Sequence, residues 1–123
     1  MNLLIDTNIL IDHLRDRLPA TLFLANLTQK PCTSAISVAE LFAGTKSSPQ
    51  KDKVHRLLEG LQVIPFDAGI AEIAGEYLLK YTKSHSIGFA DAAIGATANQ
   101  QKLKLCTLNI KHFPMFPGLK KPY

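Results

Sequence analysis

No stretch of this sequence approaches the ~20 consecutive apolar residues that cross a bilayer, and the opening Met1-Asn2-Leu3-Leu4-Ile5 is too short for the apolar core of a signal peptide. The expected location is therefore the cytoplasm, with no membrane partner. There are only two cysteines, Cys32 and Cys106, each inside a short apolar stretch that reads as a strand, and no CxxC or Cys/His ligand spacing accompanies them. Buried thiols are expected in preference to a disulfide or a zinc site. Neither GxGxxG nor GxxxxGK[ST] occurs, which leaves nucleotide-binding enzymes of the Rossmann and P-loop types without support. Acidic residues are scarce too: 10 Asp+Glu stand against 14 Lys+Arg, a formal net charge of +4 and a pI near 9.2. A polyanionic partner is favoured.

What is present suits one folded unit. A chain of 123 residues buries one core and is too short for two. Its 46% hydrophobic and 20% charged composition, without repeats or low-complexity blocks, argues against disorder. A single domain over 1–123, with an irregular tail from about 114, is the expected organisation. Lys51, Lys53 and Arg56 cluster in one segment, Lys102, Lys104 and Lys111 in another, and Lys120-Lys121 lie near the end. Several acids stand alone in apolar surroundings.

Apolar periodicity gives the element order. Residues 2–5 form a short apolar run ending at Asp6, and Ile9, Leu10 and Leu14 share one face of a helix starting near Thr7. Pro19 suits the first turn of a second helix, which Pro31 stops, and a short strand follows through Ser34. A helix from about Ser37 to Thr45, a break at Ser47-Ser48-Pro49, and a helix over roughly 50–59 closed by Gly60 come next. Val63 and Ile64 make a brief strand, Asp67 caps a helix over about 68–82, another helix spans about 89–101, and Lys104 to Thr107 is the last strand. Short strands alternating with helices predict a three-layer α/β/α sandwich with a short, mostly parallel sheet. Ligands of such sheets bind beyond the carboxyl ends of the strands, where Asp6 and Thr107-Leu108-Asn109 both fall.

Each isolated acid has an ordinary structural role open to it. Asp6 stands where an N-cap aspartate belongs, and Ser37-Val38-Ala39-Glu40 fits a capping box. Asp91, between Phe89-Ala90 and Ala92-Ala93-Ile94-Gly95, either caps a helix starting at Ala92 or needs a compensating cation, because an unpaired buried carboxylate is costly. Its small neighbours would leave room for a ligand to approach. Taken together, three carboxylates from strand one, a middle helix and a late helix are better explained by a shared divalent cation. Oxygen-only donors suit Mg2+, with Mn2+ as the other choice.

These residues resemble the PIN-domain family, and within it the VapC-type toxins of toxin–antitoxin pairs. The resemblance is carried by Leu4-Ile5-Asp6-Thr7-Asn8, by Ser37-Val38-Ala39-Glu40-Leu41 with Gly44, by the run from Asp91 to Ala98, and by Thr107-Leu108-Asn109 with His112-Phe113. It implies a PIN-like sheet between helices, with Asp6, Glu40 and Asp91 binding magnesium for RNA cleavage. Asp6 and Asp91 would be the first ligands, Glu40 would bind directly or through water or position the attacking water, and Asn109 would be an auxiliary catalytic contact. The implied partners are a tRNA or ribosomal-RNA loop, a cognate VapB-type antitoxin and a second copy in a homodimer, with Phe42 and Leu57 as candidate surface residues. The implied outcome is inhibition of translation. Two positions depart from the family pattern. Asn109 stands where a further acid is common, and His112 where an aspartate often precedes the phenylalanine; His112 reads as a structural or solvent-facing residue rather than a general acid.

Three rival readings remain. An aspartate-nucleophile phosphatase of the haloacid-dehalogenase type carries DxDx[TV], and Asp6-Thr7-Asn8 lacks the second aspartate. A receiver-like module would use Asp67 as phosphoacceptor but expects an acidic pair after strand one. A non-catalytic RNA- or antitoxin-binding PIN domain is compatible with the changes at Asn109 and His112.

Overall fold

The computed structural model describes residues 2–123. Chain order is β1 (Leu3–Ile5), α1 (Thr7–Leu14), α2 (Leu18–Ala25), β2 (Cys32–Ser34), α3 (Ala35–Ala43), α4 (Ser48–Glu59), β3 (Gln62–Ile64), α5 (Ala68–His85), α6 (Phe89–Gln101) and β4 (Lys104–Cys106). A 3-10 turn over Ile110–His112 follows. Beyond Phe113 the chain has turns but no helix or strand.

The four strands form one sheet in the order β3-β2-β1-β4, and every pairing is parallel. Successive strand residues point to opposite faces, and Leu4 and Ile5 of β1 show the consequence. Leu4 packs in one core with Ile70, Ile94, Leu105 and Phe113, beneath α5 and α6. Ile5 packs in the other with Ile9, Leu10, Leu41 and Val54, from α1, α3 and α4. Both faces are covered, so the expected three-layer α/β/α sandwich is observed. Leu4, Ile5, Ile9, Leu10 and Phe113 have no solvent exposure, and each contributes roughly 1.5–3 kcal/mol of burial.

Several element boundaries differ from the sequence-based expectation. α3 begins at Ala35, not near Ser37, because Ser34 is its N-cap and accepts from the Ile36 amide. The Ser37–Glu40 capping box therefore does not form: Ser37 is a buried residue inside the helix. α6 begins at Phe89 behind the uncapped Gly88, so Asp91 lies in the first turn and is not an N-cap. Pro49 does not break the chain but sits in the first turn of α4, whose N-cap is Ser47. α5 runs on to His85, ending at Ser86 in the left-handed region with φ 52°. The Asp67 cap stands as expected, its carboxylate accepting from the Ile70 amide at 2.8 Å. Both cysteines are free and buried, and burial pushes both thiols up.

The strand order creates the site. From β1 the chain steps outward to β2 and β3, then returns to place β4 on the other side of β1. Connections leave in opposite directions at the β1/β4 boundary, which opens a crevice at the carboxyl ends of those two strands. Asp6 follows β1 and Thr107 follows β4.

Candidate functional site

Asp6 caps α1 in extended backbone, as an N-cap does, and its Oδ1 accepts from the Thr7 amide at 2.7 Å. Its second oxygen accepts from the Thr107 hydroxyl, also at 2.7 Å. The cap and the site residue are thus the same side chain. Asp6 is only 5% exposed, and its carboxyl is raised from 3.8 to about 6. Burial is the largest cause; the hydrogen bonds from Thr107 and Thr7 pull the other way, and the negative charges of Asp91 and Glu40 push up again.

Glu40 reaches the same crevice from α3. The Thr7 hydroxyl donates to its Oε1 at 2.7 Å, and the Ser37 hydroxyl lies 2.8 Å from Thr7 Oγ1. A hydroxyl has one proton, so Thr7 gives its own to the carboxylate and accepts that of Ser37. This chain fixes Glu40 from beneath and, among the described residues, leaves Oε2 without a donor. Thr7 and Ser37 were not singled out from sequence as site residues. Their only signal is position, one beside Asp6 and the other one helical turn before Glu40.

Asp91 joins from the first turn of α6, where an acid also complements the helix dipole. Its Oδ2 lies 3.1 Å from His112 Nδ1. Asn109 reaches the site indirectly: its amide N–H donates to Thr107 Oγ1 at 2.9 Å, and its side chain lies 2.8 Å from His112 Nδ1. His112, read from sequence as structural or solvent-facing, is in fact both partly exposed and in contact with Asp91. Asn8 bridges the same loops, its side chain lying 3.4 Å from Thr107 Oγ1 and from the Leu108 amide. The small residues after Asp91 do not make room for a ligand. Ala92, Ala93 and Ala96 are fully buried, and a Cβ at Gly95 would meet Phe113, Met115 and Phe116 near the chain's own C-terminal tail at 3.5–3.6 Å.

Among the described residues, no Lys or Arg pairs with Asp6, Glu40 or Asp91. Nor are three or more His, Cys, Asp or Glu side chains gathered tightly enough to hold a metal ion among themselves. Mutually repelling carboxylates, one of them buried, nevertheless form a donor set that fits a hard divalent cation, and Mg2+ commonly takes one or two carboxylates and keeps several waters. Beside Glu40 a cleft of about 210 Å3 runs between α1, α3 and α4, with Arg15 and Lys53 on its walls. Phe42 and Leu57 are half-buried against the core, and the exposed large apolar side chains include Leu18, Leu22 and Leu79 instead. Asp67 is committed to its helix cap. No helix among the described residues is long and apolar enough to cross a membrane.

The PIN domain family model matches residues 3–114. Ribonuclease VapC10 of Mycobacterium tuberculosis is 40% identical over 98% of this chain and 92% of its own length. Ribonuclease VapC19 of the same organism is 36% identical over 98% of both chains. Among solved structures, a toxin–antitoxin complex from Klebsiella pneumoniae superposes with a TM-score of 0.82 at 31% identity, covering 99% of this chain and 98% of the other. Family match, fold and near full-length similarity agree: the chain belongs to the PIN domain family, and within it to the VapC type.

Proposed function

We propose that this protein is a Mg2+-dependent endoribonuclease, the toxin of a VapBC-type pair, which cleaves tRNA or ribosomal-RNA loops and so inhibits translation. The ribonuclease names of its relatives support the reaction class. The observation that carries the metal dependence is Asp6: a buried carboxylate raised to about 6, facing Asp91 and Glu40, without a Lys or Arg partner among the described residues. Such a cluster is costly as it stands and favourable around a divalent cation.

Asp6 and Asp91 would hold Mg2+, with Mn2+ as the alternative. A cation so held supplies charge neutralisation at the phosphoryl oxygens and lowers the pKa of water. Glu40, fixed through Oε1 by Thr7, has Oε2 available to orient the attacking water. Thr107 and Asn109 keep the β4 end of the crevice in register with Asp6. Arg15 and Lys53 beside Glu40, with Lys51 and Arg56 on α4, offset the negative charge that would repel RNA, and Lys102, Lys104 and Lys111 add to this near β4. Structured RNA is read through shape and exposed loops, which suits a tRNA or ribosomal-RNA loop. A VapB-type antitoxin, a homodimer and a cytoplasmic location complete the proposal; similarity to the Klebsiella toxin–antitoxin complex supports the first.

The test is cleavage of a mixture of total tRNA and ribosomal RNA by purified protein, with Mg2+ or EDTA, comparing wild type with Asp6→Ala and Asp91→Ala. Discrete, EDTA-sensitive fragments absent from both variants are expected. Intact folding and metal binding without cleavage would instead support a non-catalytic PIN domain, the reading to which Asn109 and His112 lend themselves.

A further inference from the structure

Gly44 closes α3 four residues after Glu40, and neither backbone nor packing requires a glycine there. Its φ of −85° and ψ of −4° are open to any residue. A Cβ at this position would meet only the carbonyl oxygens of Leu41 at 3.6 Å and Glu40 at 3.8 Å, which are ordinary contacts. What a larger side chain would enter is the cleft of about 210 Å3 between α1, α3 and α4, which Gly44 lines together with Glu40. The glycine keeps that cleft open.

Its lining is of two kinds. Ile11, Leu14, Leu41 and Val54 are apolar, while Gln50, Arg15 and Lys53 offer hydrogen-bond donors, and Glu40 is the only acid. Gln50 Oε1 accepts from the Lys46 amide at 2.6 Å, which fixes the side-chain amide and leaves Nε2 to donate to a ligand. Lys53 Nζ donates to the Leu14 carbonyl at 3.3 Å, which uses one of its three hydrogens. Among the described residues neither Lys53 nor Arg15 pairs with an acid. The cleft is smaller than the ~300–1,000 Å3 that holds a drug-sized ligand, and a helix ~10 Å across with its side chains does not enter it. A single planar base does. Bases in RNA loops are unstacked and free to be splayed into such a space. We infer that the cleft takes one unstacked nucleotide of the RNA substrate, with its base against Ile11 and Leu14, its polar edge at Gln50 Nε2 and its phosphate at Arg15 and Lys53. The neighbouring phosphodiester is thereby presented to Glu40. The inference rests on the ribonuclease reading above and adds where the strand beside the cleaved bond is held, and by which residues.

The test has a binding arm and a cleavage arm, both on the whole protein. Uridine 5′-monophosphate, guanosine 5′-monophosphate and ribose 5-phosphate are each titrated in EDTA into wild type, Gly44→Leu and Arg15→Ala/Lys53→Ala, and the side-chain methyl resonances are followed by NMR. The nucleotides should shift the Ile11 and Leu14 methyls through the ring current of the base, and ribose 5-phosphate should not. Gly44→Leu should abolish those shifts with the rest of the spectrum intact, and the double variant should weaken them. In cleavage of total tRNA with Mg2+, Gly44→Leu should raise the apparent KM about tenfold with little change in kcat, the signature of lost substrate binding. The double variant keeps the cleft open and should also raise KM, so it answers the case in which Gly44→Leu fails to fold. Methyls unmoved by the nucleotides, or moved equally by ribose 5-phosphate, together with unaltered cleavage by both variants, would overturn the inference and leave the ribonuclease reading intact. Nucleotide shifts in the cleft without RNA cleavage by wild type would keep the subsite and overturn that reading instead. Absence of both would overturn the two together.

Discussion

Thr107 donates its hydroxyl proton to Asp6 Oδ2 at 2.7 Å, across 101 residues of sequence. Thr107 Oγ1 in turn accepts from the Asn109 amide at 2.9 Å, so one buried hydroxyl joins the carboxyl ends of β1 and β4. It ties the capping acid of α1 to the loop that carries Asn109 and His112.

Thr107→Val keeps the branched shape and removes that hydroxyl, leaving Asp6 Oδ2 and the Asn109 amide without their partner. A loss of about 1–3 kcal/mol is expected, read from urea unfolding at neutral pH. The Thr107 bond lowers a carboxyl that already stands at about 6, so its removal should raise the Asp6 titration further. Carboxyl chemical shifts followed against pH report this directly. An unmoved titration would mean that the bond does not act on the carboxylate.

The Asp6 carboxyl also makes the metal-free protein's stability depend on pH in an unusual sense. Its folded value is raised, from 3.8 to about 6, so between those values the folded state binds more protons than the unfolded one and stability falls as pH rises. Below the window the group is neutral in both states and carries no penalty; above it the penalty is full, at most about 3 kcal/mol. Asp6→Asn preserves an N-cap oxygen and cannot ionise. In EDTA at pH 7.5 it should melt above wild type, and the difference should shrink toward pH 4. Adding Mg2+ should raise the wild-type melting temperature and leave Asp6→Asn nearly unchanged. Equal melting of the two proteins at both pH values would remove the electrostatic argument for a cation.

Phe113 is fully buried against the face of α6 that Gly95 opens. It anchors the turn bearing His112 one residue earlier. Phe113→Ala should cost about 3–5 kcal/mol, with hydrogen exchange in 107–113 accelerating before the rest of the sheet. Uniform acceleration throughout would instead show that this turn has no separate stability.

Much of the fold was legible because local rules and tertiary packing agree along most of the chain. The apolar run before Asp6, the proline in the first turn of α2, the Asp67 cap and the α6 boundaries all follow from side-chain chemistry within a few residues. The errors came where two local signals competed. Ser34 and Ser37 are both acceptable N-caps, and Ser34 prevails because β2 ends there and Ser37 is needed inside, under Thr7. Gly88 precedes α6 without a side-chain cap, so Asp91 falls inside the first turn and the alternative in which it caps a helix starting at Ala92 does not hold.

By itself the sequence determined the element order, the parallel sheet with both faces covered, and the identity of the scarce acids Asp6, Glu40 and Asp91, because periodicity and composition are local properties of the chain. Tertiary structure alone decided that β4 lies beside β1 and that Asp6, Glu40 and Asp91 influence one another across one crevice. It also decided the partners of each acid: Thr107 for Asp6, Thr7 for Glu40, and His112 for Asp91. Those pairings join residues 21 to 101 positions apart. Their geometry depends on strand order and helix packing, which spacing along a chain does not encode.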